Sequence, residues 1–123
     1  MGFRVAFDNP SSTVRVKQFG DDCDVVDAMN TFEAMHADPA FRSIARLLID
    51  LSECHAELKP LEVEAISEYL CAVFHGRFLV FVSSDELGPH LAYATEILRR
   101  EGAIDARVFP TAPDAEAWLR TVN

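Results

Sequence analysis

The chain contains no apolar run approaching the roughly 18 residues that a membrane-spanning helix needs. Its N-terminus also lacks the pattern of a secretory signal. Met1-Gly2 opens like a myristoylation start, but the sixth position, where Ser or Thr is required, is Ala6. The three cysteines, Cys23, Cys54 and Cys71, are odd in number and form no CxxC pair, which fits a reducing interior better than a disulfide framework. Basic residues are scarce: 11 Lys and Arg stand against 20 Asp and Glu, for a net charge of -9. Such a field repels phosphate backbones and anionic membrane surfaces, so a nucleic-acid partner is disfavoured. There is no GxGxxG or P-loop, no Pro/Gly/Ser linker, no repeat and no low-complexity tract. These absences set the expectation of a soluble, cytoplasmic, acidic protein, one domain over residues 1-123, without membrane insertion.

What is present is a strong hydrophobic pattern, 50% of the chain, enough for a genuine core. FRVAF (3-7) and TVRVKQF (13-19) alternate apolar and polar residues around the turn-forming DNPSS, which predicts an antiparallel hairpin. Gly20 ends the second strand, Asp21 or Asp22 caps a helix from near Cys23, and Val25, Val26, Met29, Phe32 and Met35 or His36 share its face up to Asp38-Pro39. ARLLIDL (45-51) and RFLVFVS (77-83) are nearly continuous apolar runs, as expected of central strands covered on both faces. Pro60 suits the first turn of a helix that Gly76 ends, with Ile66, Tyr69, Leu70 and Val73 as its stripe. Ser83 and Glu86 form a capping box for a helix carrying Leu87, Leu91, Ala94 and Leu98, closed by Gly102. DARVF (105-109) is the last strand. Thr111 and Asp114 form another capping box, for a final helix lined by Ala115, Trp118, Leu119 and Val122. The order is ββαβαβαβα, an α/β fold whose mixed, mostly parallel sheet has an antiparallel hairpin at its N-terminal edge.

One stretch concentrates reactive groups. LLIDLSECHAELKP (47-60) carries Asp50, Ser52, Glu53, Cys54, His55 and Glu57 directly after a strand, with SECHAEL expected as the connection to the next helix. A Cys54-His55 nucleophile is weighed and set aside, because catalytic partners usually come from separate elements and no glycine flanks Cys54 to form an elbow. Cys71 and His75 sit at i, i+4 on one helical face. Without paired short spacings, however, a core cysteine and a helix-terminal histidine explain them better than zinc. VSSDELG (82-88) offers helix N-H groups to an anion, but Asp85 and Glu86 repel phosphate and the cap uses the donors. Asp8, Asp50 and Ser83 at strand ends resemble the acids and hydroxyl of phospho-accepting receiver domains. No helix separates the first two strands, and no lysine ends the last one. Nine phenylalanines leave open a pocket for a hydrophobic ligand beside the plainer reading of a filled core.

LLIDLSE, RFLVFVSSDELGPHLAYATEILRREG and above all ARVFPTAPDAEAWL resemble the SpoIIAA-like family, which is related to STAS domains. The similarity covers nearly the whole chain, including the hairpin and DDCDVVDAM. It implies a STAS-like fold, similar in outline to lipid-carrying SEC14 domains. Classical STAS antagonists of anti-sigma factors carry a phosphorylatable serine shortly after the D-L-S strand end. Here that element falls on Leu58, Lys59, Pro60 and Leu61, with no hydroxyl. The resulting expectation is a non-enzymatic regulatory or protein-interaction module, without catalytic residues, metal or cofactor. Its partner is another protein or a second copy of itself as a homodimer. Asp50, Ser52, Glu53, Cys54, His55 and Glu57 form its candidate binding loop. Two alternatives stand beside it: a carrier or sensor of a hydrophobic small molecule or lipid, and a small hydrolase or metal enzyme using Cys54 and His55.

Overall fold

Leu47, Leu48, Ile49 and Leu51 are all buried, as are Leu79, Val80, Phe81 and Val82, so two adjacent strands are covered on both faces. They lie inside a five-stranded sheet, seen in a computed structural model that describes residues 2-8, 12-20, 25-39, 45-54, 59-73, 78-83, 87-101 and 104-122. The elements are β1 (Gly2–Asp8), β2 (Thr13–Gly20), α1 (Val25–Ala37), β3 (Arg46–Cys54), α2 (Pro60–Val73), β4 (Phe78–Ser83), α3 (Gly88–Glu101), β5 (Asp105–Phe109) and α4 (Ala112–Thr121). The strands lie in the order β1-β2-β3-β4-β5; β1 pairs antiparallel with β2 and every other pair is parallel. The expected order of elements and the edge hairpin are therefore observed.

The strands are added in one direction, and right-handed crossovers then put α1, α2 and α3 on one face. The larger core shows this: Val14, Val16, Leu47, Ile49, Leu79 and Phe81 meet Phe32 and Met35 of α1, Leu70 of α2, and Leu91 and Leu98 of α3. Met35 rather than His36 is the buried member of α1's last turn. Among the described residues α4 is the one helix on the opposite face, where its Ala115 and Leu119 meet Leu48, Val80 and Val82, with Phe78, Phe109 and Trp118 half-buried around them. Strand alternation assigns these sides: odd positions of β3 face three helices, and Leu48 faces α4.

Three helix and strand ends need correction or fall outside view. β3 does not stop at Leu51; it continues through Ser52, Glu53 and Cys54, with Glu53 opposite Phe19 and Cys54 opposite Gly20. The reason is a bulge: Lys17 is opposite Asp50 and Phe19 opposite Glu53, so Leu51 and Ser52 together stand against Gln18 alone. SECHAEL is thus not all connection, since its first three residues are strand. α3 begins at Gly88, with the Leu87 carbonyl accepting the Leu91 N-H at 2.9 Å. Glu86 of the expected capping box lies outside the described residues, as does the expected start of α1 near Cys23. At α4 one half of the expected capping box is observed: Thr111 is extended (φ -134°, ψ 151°) and its hydroxyl accepts the Asp114 N-H at 3.3 Å.

α4 is held to its face by charge as well as by apolar contact. Arg15 of β2 makes a forked pair with Glu116, Nε to Oε1 at 2.5 Å and Nη2 to Oε2 at 2.8 Å, while its Nη1 lies 3.4 Å from Asp8 Oδ2. Arg46 at the start of β3 donates from Nη2 to the Val122 carbonyl at 2.7 Å, satisfying the helix's C-terminal end.

Candidate functional site

The bulge explains what the first candidate residues do. An extra strand residue has no partner in the ladder, so its backbone donor must be satisfied otherwise. Asp50 Oδ1 supplies the acceptor, taking the Ser52 N-H at 2.9 Å and the Ser52 hydroxyl at 2.6 Å. Glu53, one residue on, bonds Lys17 Nζ through Oε2 at 2.7 Å from across the strand pair. That hydrogen bond, followed by the carboxylate's charge, raises the Lys17 ammonium above its ordinary value and keeps it protonated.

Asp50, Ser52 and Glu53 are therefore brought together, with Lys17 added by the fold. Ser52 and Glu53 are exposed, and Asp50 is half-buried. Cys54 closes β3, its backbone opposite Gly20, and its side chain lies outside the described part. His55 and Glu57 lie outside the described residues. The serine hydroxyl donates to a carboxylate here, an arrangement that fixes a turn. Among the described residues that hydroxyl bonds Asp50 and not the histidine base that Ser nucleophiles commonly use.

The other sequence candidates separate. β1 is antiparallel, so Asp8 sits opposite Thr13 at the far end of the sheet from Asp50 and Ser83; the receiver-like trio is not assembled. Cys71 is a half-buried free cysteine beside the larger core. Burial, then the charges of Glu101 and Glu68, push its thiol upward, away from the thiolate a metal requires. Its proposed partner His75 lies outside the described residues. Among the described residues, no group of three or more His, Cys, Asp or Glu side chains is placed to hold a metal. No helix among them is long and apolar enough to cross a membrane.

Sequence reading missed two features. Leu61, in the first turn of α2, is 77% exposed beside exposed Lys59 and Pro60. Its position off the 66-69-70-73 stripe was the available signal. A cleft of about 440 Å³ also opens at the β5 edge of the sheet, lined by Ala92, Thr95 and Arg99 of α3, Arg107 and Phe109 of β5, and Trp118 of α4. Alternation in DARVF puts Arg107 and Phe109 on one face, but only the sheet shows that α4 brings Trp118 to it. No protein-family model matches the chain, and no curated protein matches it.

Proposed function

We propose that the chain is a non-enzymatic, STAS-like binding module that engages another protein, or a second copy of itself, through the end of β3 and the first turn of α2. The observation that carries this reading is the 77% exposure of Leu61, a large apolar side chain at the start of α2. Earlier in the chain, at the end of β3, the polar groups are already committed, Ser52 to Asp50 and Glu53 to Lys17. Committed groups present a fixed surface, which suits recognition by shape and charge; an apolar anchor with a polar surround is the usual anatomy of a binding patch. Where the family resemblance would put a phosphorylatable serine, Leu58, Lys59, Pro60 and Leu61 stand instead. Binding here is therefore read as constitutive, not switched by phosphorylation at that element. A carrier role for a hydrophobic ligand has less support, because the large apolar side chains described between the sheet and α1, α2 and α3 join in one cluster.

Site-directed photocrosslinking tests the reading. A crosslinker at position 61 is expected to give one defined adduct, either a dimer of this chain or a complex with one protein. Reconstitution from purified components should then lose that complex on Leu61→Glu. Equal labelling from position 61 and from exposed Glu96 on α3, or a complex indifferent to Leu61→Glu, would overturn it.

A further inference from the structure

The cleft at the β5 edge has a composition unlike the rest of this acidic molecule. Two of its walls carry guanidinium groups, Arg99 and Arg107, and none of the described residues lining it is acidic. The chain's net charge is -9, so a locally cationic recess selects for anions.

Each arginine is held with donors to spare. Arg99 clasps the Ala106 carbonyl with Nε at 2.9 Å and Nη2 at 2.7 Å. A guanidinium has five N-H bonds, so three remain. Arg107 lies with Cζ 5.9 Å from the centroid of the Trp118 ring, and its Nε lies 3.5 Å from Asp105 Oδ1. Among the described residues its two terminal nitrogens make no hydrogen bond, which leaves them for a ligand. The indole is itself propped from two sides, by Phe109 at 6.2 Å and by Phe78 edge-on at 6.4 Å between centroids. The recess thus joins an aromatic wall to a forked cation, the combination that recognises a flat ring bearing an acid.

The alternative occupant of a sheet edge is an extended peptide added as a further strand. Arg99 argues against it. Both of its bonds end on the Ala106 carbonyl, so this acceptor of the edge strand is taken. Pairing there would require displacing a forked, charge-assisted contact.

We propose that this cleft binds a small aromatic carboxylate, its ring against Trp118 and Phe109 and its acid group on Arg107, with Arg99 adding charge. The site is separate from the surface at β3 and α2, and either can fail without the other.

Trp118 is the chain's single tryptophan, so its fluorescence reports on the cleft directly. The probes are para-nitrobenzoate and its neutral counterpart para-nitrobenzamide, both quenchers of indole emission. The acid is expected to quench saturably and the amide only in proportion to its concentration. Arg107→Gln should weaken the acid's binding by about tenfold or more, and Arg107→Lys should fall between, having kept the charge but lost the fork. Arg107 is exposed, so these variants are expected to fold, as circular dichroism will check. Identical, non-saturating quenching by acid and amide would overturn the proposal, as would saturable binding indifferent to Arg107→Gln. So would an acidic extended peptide that shifts the β5 amides in NMR spectra while para-nitrobenzoate shifts none.

Discussion

Glu116→Gln isolates the charge that holds α4 to the hairpin. The side chains of Arg15 and Glu116 are 36% and 25% exposed, so the pair is neither fully solvated nor fully buried. Exposed ion pairs contribute about 0.2 to 1 kcal/mol, and hydrogen bonds to charged groups about 1.5 to 3 kcal/mol. Two short forked bonds discounted for partial solvation give about 1 kcal/mol of coupling, or about 4 °C in Tm for a domain of this size. The pH dependence has a definite sign. The Arg15 hydrogen bond, outweighing the opposing effect of burial, holds the Glu116 carboxyl below its ordinary value. Its stabilisation is therefore fully present above the unfolded value of about 4.3 and is lost as pH falls through the folded one. Arg15, raised further by the same bond, does not titrate in this range. The assay is a double-mutant cycle with Arg15→Met and Glu116→Gln, read by urea denaturation near neutral pH and again in acid. Coupling of about 1 kcal/mol near neutrality should shrink in acid and in high salt. Zero coupling at low salt, or a Glu116→Gln deficit unchanged below the folded carboxyl value, would refute the reasoning.

Two further substitutions probe how α4 is built. Leu119→Ala removes a side chain only 3% exposed from the small cluster with Leu48 and Val80 and should cost about 2 to 5 kcal/mol in urea denaturation. A cost well under 1 kcal/mol would mean that this contact does not hold the helix. Thr111→Ala removes the acceptor for the Asp114 N-H and should cost about 1 kcal/mol by the same assay, with Thr111→Ser restoring most of it.

The fold was legible because its signals are local. Phe78-Val82 is an unbroken apolar run and Leu47-Leu51 is interrupted only by Asp50, and a strand buried on both faces needs such a run wherever its neighbours lie. The Thr111 cap likewise depends on residues within a few positions. The extension of β3 was hidden because Glu53 and Cys54 become strand only through Phe19 and Gly20, partners in a distant segment. For the same reason the stretch from Asp50 to Glu53 read as a set of reactive groups, while Glu53 is committed to Lys17 from β2. The arginine cleft was hidden more deeply still. It exists only where α3, β5 and α4 converge, and no spacing in the chain relates Arg99, Arg107 and Trp118.

The extra residue in β3 also bears on how this chain can vary in length. Insertions and deletions are normally confined to loops, because losing one residue inside a strand turns every later side chain to the opposite face. Here Leu51 and Ser52 together oppose Gln18, so a chain one residue shorter at this point would restore a regular ladder with Glu53 and Cys54 still opposite Phe19 and Gly20. It would lose only the kink and the amide that Asp50 now holds. When sequences of this fold are aligned, a one-residue gap in the middle of the central strand would be sound, and the Asp-x-Ser of residues 50-52 would mark the chains that carry the longer form.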